Sequence, residues 1–375
     1  MKISKRRVLL VILLLLLASQ MPFAYRRYKL RQLHAAIQQL NSQRTTPERT
    51  TFSEYVGVVH VHSFLGGHST GTFSEIISAA QANRLNFVIM TEHAEKDFDT
   101  AAMTLQGEHG GVLFINGNEV SAANGDRTLV LPRAVTIAAY PEEFKAWGAQ
   151  ELNGVEVYNV FTNSKRINLV VAFFDAVWSK RAYPDLIFAH YLERPDEGLK
   201  VWDRALARRN LTAVAGNDAH ANVGVSLKDS SGKTLLGVQL DPYEVSFRLV
   251  RLHVLIEKNR PLDATSVLEA VRAGHCYIGF DFLGDSSGFA FEVDEKIQGD
   301  EIALRDGLRL NIRTPVQSRI VVLKDGAVFM DETGISSKML PITERGVYRV
   351  EVYLPQLGSM VAQKPWIISN PIYVN

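Results

Sequence analysis

The chain has 375 residues, 46% apolar and 22% charged, and its 41 Lys and Arg against 40 Asp and Glu leave a formal net charge of +1. Those proportions exclude a disordered, collagen-like or many-helix membrane protein, and the charge balance advertises no nucleic-acid partner. The lone cysteine, Cys276, excludes an intramolecular disulfide and any cysteine-rich zinc module.

Lys2, Lys5, Arg6 and Arg7 precede an unbroken apolar run from Val8 to Ala18, the pattern of a signal peptide or signal anchor over residues 1–25. Leu16-Leu17-Ala18 is a poor cleavage site, so the segment is read as an uncleaved anchor with the body exported. Leu30, Leu33, Ile37 and Leu40 recur at helical spacing, which predicts an amphipathic stalk, and Thr45–Thr51 with Pro47 predicts a linker, closing a segment of 26–51. From residue 52 to 285, short apolar strands alternate with helices. Strands are predicted at Val56–His60, Phe87–Met90, Val112–Asn116, Val135–Ala139, Val155–Tyr158, Leu186–Ala189 and Thr212–Ala215. Thr72 and Glu75 form a capping box for a helix over Phe73–Arg84, and Asp263 and Gly274 bound another. Seven such repeats predict a βα barrel or a parallel sheet, with its chemistry at the C-terminal strand ends. Residues 286–375 alternate apolar and polar positions around the turn pair Asp325-Gly326, predicting a β-sandwich-like domain that carries no histidine.

Six of the ten histidines fall where a predicted strand ends: His60, His62, His68, His93, His190 and His220. His60-Val61-His62 and Asp218-Ala219-His220 each place two ligating side chains on one face of an extended segment, because side chains alternate with period two. Glu92-His93 and Glu119 end two further strands. One histidine in such a place is commonly structural, but four such terminations together point to a metal centre. Imidazole and carboxylate without thiolate suit zinc, manganese or iron. His34, His109, His253, His275 and Cys276 are read as structural. Arg127, Arg133, Lys165 and Arg166 follow strand regions and are candidates to bind anionic groups.

The motifs His60-Val61-His62-Ser63, His68, Thr91-Glu92-His93, Glu119 and Gly216-Asn217-Asp218-Ala219-His220 resemble the four signatures of the polymerase and histidinol phosphatase (PHP) metallohydrolases. The likeness covers Tyr55–Phe282. It implies a distorted seven-stranded βα barrel whose mouth holds two to three divalent ions. By the same resemblance His60, His62, Glu119 and Asp218 would bind one ion, and His68, His93 and His220 another. Glu119 would bridge to a third. Where the family commonly has a His-Pro step this chain has Tyr140-Pro141. Gly154–Asn159 fits a strand of the branch that includes carbamate-ester hydrolases, and His190 is the candidate for the missing imidazole, its other reading being a loop anchor.

The implied activity is metal-dependent hydrolysis of a small ester, foremost a phosphoester, by water activated on the ions, with Glu92, Asn217 and Tyr140 as candidate helpers. Two alternatives stand beside it: hydrolysis of carbamate or carboxyl esters on the same fold, and a non-catalytic, metal-braced binding module at the membrane. The partner of the C-terminal domain is not legible.

Overall fold

Helix α1 runs unbroken from Lys5 to Ser42 in the computed structural model, which describes residues 5–45, 51–148, 151–164, 167–222, 224–228 and 234–375. Lys2, most of the expected linker, Lys165 and Arg166 lie outside the described residues. The first half of α1 is long and apolar enough to cross a membrane, and Leu9 to Leu17 are exposed along it.

The second half, expected as an amphipathic stalk, lays its apolar face on the body of the protein. Leu30, Leu33, Ile37 and Leu40 are buried in the main core. At roughly 1.5–3 kcal/mol of transfer free energy for each such side chain, the docking contributes several kcal/mol. Polar contacts fix the register. Arg26 pairs with Asp175 at 2.6 Å, Trp178 Nε1 donates to Gln20 Oε1 at 3.0 Å, and Arg44 pairs with Asp285 at 2.6 Å. The helical spacing of the leucines was legible; that the body supplies their partner was not.

The strands that follow are β1 (Phe52–Val61), β2 (Phe87–Met90), β3 (Glu92–His93), β4 (Val112–Ile115), β5 (Asn118–Ser121), β6 (Arg127–Leu131), β7 (Val135–Ala139), β8 (Gly154–Asn159) and β9 (Thr212–Gly216). Two helices among them matter here, α2 (Phe73–Ala82) with its Thr72–Glu75 capping box, and α3 (Leu169–Ser179), which packs on α1. β1 pairs in parallel with β2, and β2 with β4. β3 pairs in parallel with β5, which turns through the antiparallel hairpin β5–β6–β7 to the parallel neighbours β8 and β9. The end of β9 returns to β1 through Asn217 N–H to Val59 O at 2.8 Å and a parallel bridge between Val61 and Ala219. β2, β8 and β9 are buried at every position, so β2 and β9 read as apolar runs rather than alternations. Leu186–Ala189, expected as a strand, belongs to a 3₁₀ turn over Leu186–His190. An apolar run of that length suits either a strand or a buried helical turn, and periodicity cannot separate them.

The C-terminal region does not stand apart as a separate sandwich. β10 (Arg251–Glu257) pairs antiparallel with β1 and with β11 (Cys276–Gly279). Beyond helix α4 (Ala264–Ala273) lie β12 (Arg309–Lys324), β13 (Ala327–Pro341), β14 (Gly346–Tyr353) and β15 (Pro365–Ser369). β15 pairs antiparallel with β11, so one sheet runs through the expected boundary at residue 285.

A buried polar knot sits at that junction. His253 of β10 meets Glu54 of β1 through Nδ1 at 2.8 Å and Asp281 through Nε2 at 3.1 Å, while the Tyr277 ring stacks on it at 4.5 Å. Burial opposes its charge, yet Asp281 and Glu54 prevail and raise the imidazole to about 9 from an ordinary 6.5. A raised pKa stabilises the fold fully below the unfolded value, and the contribution is lost as pH rises through the folded one. Stability to thermal unfolding should therefore fall between pH 6.5 and 9. His253→Gln should flatten that slope and cost up to about 3 kcal/mol, since it takes the imidazolium from between Glu54 and Asp281 and leaves Asp281 only Arg251 at 3.6 Å and Ser286. An unchanged slope in the variant would refute the assignment.

The docking of α1 makes a second prediction. A chain begun near Ser19, which keeps the buried leucines, should unfold at least ~5 °C higher than one begun at Thr51, given several kcal/mol of lost burial. Equal midpoints for the two would return the segment to the role of a tether.

Candidate metal centre

Alternation decides which side chains meet at the strand ends. In β3 and β5, His93 and Glu119 are register partners, so they share a face, and His93 Nδ1 lies 3.2 Å from Glu119 Oε2. Glu92 is thereby turned to the opposite face. Its carboxylate accepts from Ser63 N–H at 2.9 Å and Thr104 Oγ1 at 2.8 Å. It fixes the loop after β1 and does not face the ions' side, contrary to the helper role expected of it. Asn217 is likewise structural at its amide nitrogen, which donates to the carbonyls of Ser246 and Val250.

His60 and His62 are both fully buried, and the β1–β2 register slips between Val59 and Val61. At that bulge His60 takes a left-handed φ of 66°, which turns its ring inward. Tyr140 and Asp218 also have left-handed backbones, with φ of 50° and 46°. Three non-glycine residues in a sparsely populated region around one cluster show that the backbone there is held in place by its surroundings.

Two groups of ligand atoms result, His60 with His62 and Glu119, and His62 with His93 and His220, each within 4.8 Å of one another. His62 belongs to both. Asp218 Oδ1 stands 3.3 Å from His62 Nε2 and 3.5 Å from His60 Nε2, completing a cluster of four imidazoles and two carboxylates. The sequence reading had kept His62 with one ion only. His68 lies outside both groups: it is exposed, its ring edge-on to His93 at 5.0 Å. His190 is not brought to the cluster. It neighbours Tyr191 and lies near Arg26 of α1, and burial with the nearby Arg26 charge lowers it to about 4. The run Leu186–His190 turns as 3₁₀, which carries the imidazole away from the strand ends.

The donor set fits a metal. Both ring nitrogens of His62 and Oδ1 of Asp218 are buried without a hydrogen-bond partner, although His62 Nε2 and Asp218 Oδ1 are close. Buried polar atoms left unpaired cost 1–3 kcal/mol each, and a cation bound among them supplies the missing partner. Burial lowers His62 to about 3, so the ring is neutral at neutral pH and one of its nitrogens carries a free lone pair. Burial would raise Glu119, but the hydrogen bond and charge of His60 hold it at about 2. These buried His/Glu clusters could therefore hold metal ions.

Three residues around the cluster orient it. Glu156, a carboxylate inside the otherwise apolar β8, contacts His60 Nδ1 at 2.5 Å and leaves Nε2 toward Glu119. Such a carboxylate–histidine contact sets tautomer and ring direction at metal sites. It was missed in sequence, though a charged residue in Gly154–Asn159 was the available signal. Asn159 donates to Glu156 and to Asp218 Oδ2, at 3.1 and 3.2 Å. Tyr140 donates its hydroxyl to Asp218 Oδ2 at 2.8 Å, and burial beside Asp218 pushes its pKa up, so the phenol stays a neutral donor. Arg127 reaches Glu119 Oε1 at 3.2 Å from a half-exposed position over the Tyr140 ring.

No protein-family model and no curated protein matches the chain.

Because His62 belongs to both groups of ligand atoms, His62→Ala should lower bound zinc or manganese more than any other single change, by at least ~10-fold in affinity. Glu92→Gln should keep the metal and instead lower stability by about 1–3 kcal/mol. Elemental analysis with thermal unfolding separates the two. Metal loss in His68→Ala equal to that in His62→Ala would contradict the grouping.

Proposed function

We propose that the chain is a membrane-anchored, metal-dependent hydrolase of the PHP type, acting on a phosphoester, with its body exported. The observation that carries this is the convergence of His60, His62, His93, His220, Glu119 and Asp218 with unpaired buried donor atoms. The succession β1, β2 with β3, β4 with β5, then β6, β7, β8 and β9 back to β1 is read as the distorted barrel of seven strands that the motifs lead one to expect. On this reading the ligands stand at its C-terminal mouth.

Ions bound there supply Lewis acidity toward the ester oxygen and lower the pKa of an attacking water. The remaining roles fall to side chains. His60, His62, Glu119 and Asp218 hold one position, and His93 and His220 extend the site toward exposed His68. Tyr140 and Asn159 keep Asp218 from rotating, and Glu156 does the same for His60. Arg127, whose side chain is 46% exposed and lies 3.2 Å from Glu119, is a cation beside the cluster that is available to receive a phosphoryl oxygen. That guanidinium favours a phosphoester over a carbamate or carboxyl ester.

Full-length protein in detergent, stripped and reloaded with zinc or manganese, should hydrolyse phosphomonoesters or phosphodiesters. Asp218→Asn should lose on the order of a hundredfold or more of that activity, and Arg127→Ala should raise KM for phosphoesters more than it lowers kcat. Turnover of aryl esters or carbamates alone would move the chain to the alternative chemistry. No turnover at full metal loading would leave the binding-module reading.

A further inference from the structure

Next to Asp218 lies a narrow pocket of about 690 Å³, including its open mouth, and its composition differs from that of the metal centre. Its walls are mostly apolar, with Phe161, Ala172, Ile187, Phe188 and Tyr191 among them, but the lining also includes Lys180 and Asp241, and Asn217 and Asp218 join it to the ligand cluster. Asn217 Oδ1 and Asp218 Oδ1 are both buried without a hydrogen-bond partner. The slot therefore offers a mostly apolar length that ends beside the ligand cluster, with the Lys180 ammonium in its lining. That is the complement of an aliphatic chain ending in a polar head.

Its outer wall rests on the membrane helix. Tyr191 lies under Arg26 of α1, the guanidinium 5.5 Å from the ring centroid, and donates to Asp175 of α3. Arg26 is nine residues beyond Leu17, or about 14 Å along the helix axis at 1.5 Å per residue. α3 supplies Ala172 to the pocket, and its other face is exposed at Val170 (67%) and Val177 (59%), seven residues apart and so on one stripe. Phe174 of the same helix packs on Phe23 of α1, ring centroids 5.0 Å apart. An exposed apolar stripe held against the end of a membrane-spanning segment belongs at the bilayer surface.

We propose that this pocket receives the aliphatic chain of a membrane lipid, whose polar head then reaches Asp218 and the metal centre. The substrate is an amphiphilic ester drawn from the bilayer to which α1 anchors the chain. The inference rests on the hydrolase reading for its chemistry, but the pocket's occupancy is independent of turnover.

The test uses full-length protein in phosphatidylcholine nanodiscs that contain a trace of an alkyl phosphate with a diazirine near its chain end. After illumination and digestion, label should appear on the peptides of Ala172 and Ile187–Tyr191 as well as on Val8–Leu17. Octyl phosphate should compete for the pocket peptides far better than ethyl phosphate, by about fourfold per added methylene over the first few. Ala172→Phe, which fills the slot, should cut pocket labelling at least ~5-fold and leave labelling of Val8–Leu17 as in the parent. Should that variant misfold, the chain-length series on the parent still decides. Label confined to Val8–Leu17, or competition indifferent to chain length, would overturn the proposal. So would pocket labelling by probe added in water with none from the bilayer. Pocket labelling in a protein that turns over no ester supports the lipid site while sinking the hydrolase reading; turnover without pocket labelling does the reverse.

Discussion

Concentrating Glu119, Glu156 and Asp218 in a buried space among imidazoles is the constraint around which the molecule is built. Each charge removed from water costs several kcal/mol unless met by opposite charge and hydrogen bonds. The fold meets that cost locally. His60 stands between Glu156 and Glu119, Tyr140 and Asn159 donate to Asp218, and Arg127 reaches Glu119 from a half-exposed position. The left-handed backbones at His60, Tyr140 and Asp218 are part of the same solution, because they turn three strand-end side chains toward one point. What the protein atoms do not satisfy, at His62 and Asp218, is the share left for a cation.

The motif-bearing strand ends were legible from their local pattern. Phe87–Met90 and Val135–Ala139 appear with the boundaries expected, and the capping box at Thr72 forms as its spacing implies. His60 and His62 do fall in one group of ligand atoms, but a bulge with a left-handed φ at His60, and not regular alternation, brings them there. Period-two alternation, applied to Glu92-His93, would have turned Glu92 away from the ions, as the hydrogen bonds to Ser63 and Thr104 show. Other features depended on contacts distant in sequence, which local patterning does not carry. Whether Leu30 to Leu40 faces water or protein is decided by α3 and the 3₁₀ turns, more than a hundred residues away. His190 had the right residue type in the right neighbourhood, but a helical turn in place of a strand sent it to α1. Glu156 went unremarked because it sits mid-strand, while attention to strand ends follows from parallel-sheet chemistry.

Two regions that look separable by composition prove to be continuous. The apolar helix and the stalk are one element, so any tilt of the apolar half is felt at Arg26, Asp175 and Tyr191, beside the pocket. The alternating C-terminal strands share a sheet with β1 through β10 and β11, and the polar knot at His253 lies at that seam. A change in texture along a sequence marks a change in which faces are buried, and that need not coincide with a break in the fold.

The seam at β11 also governs the order in which the chain can be completed. β1 waits for β10, some two hundred residues later, and β11 keeps an open edge until Pro365–Ser369, within the last eleven residues, arrive beside it. Pairings so distant in sequence are slow to form, because the loop must close before any contact rewards it. α1 precedes that edge by more than two hundred residues, so during synthesis it emerges while the edge is still bare. An edge exposed for that long is a template for pairing with another copy, and the late strand that covers it removes the hazard.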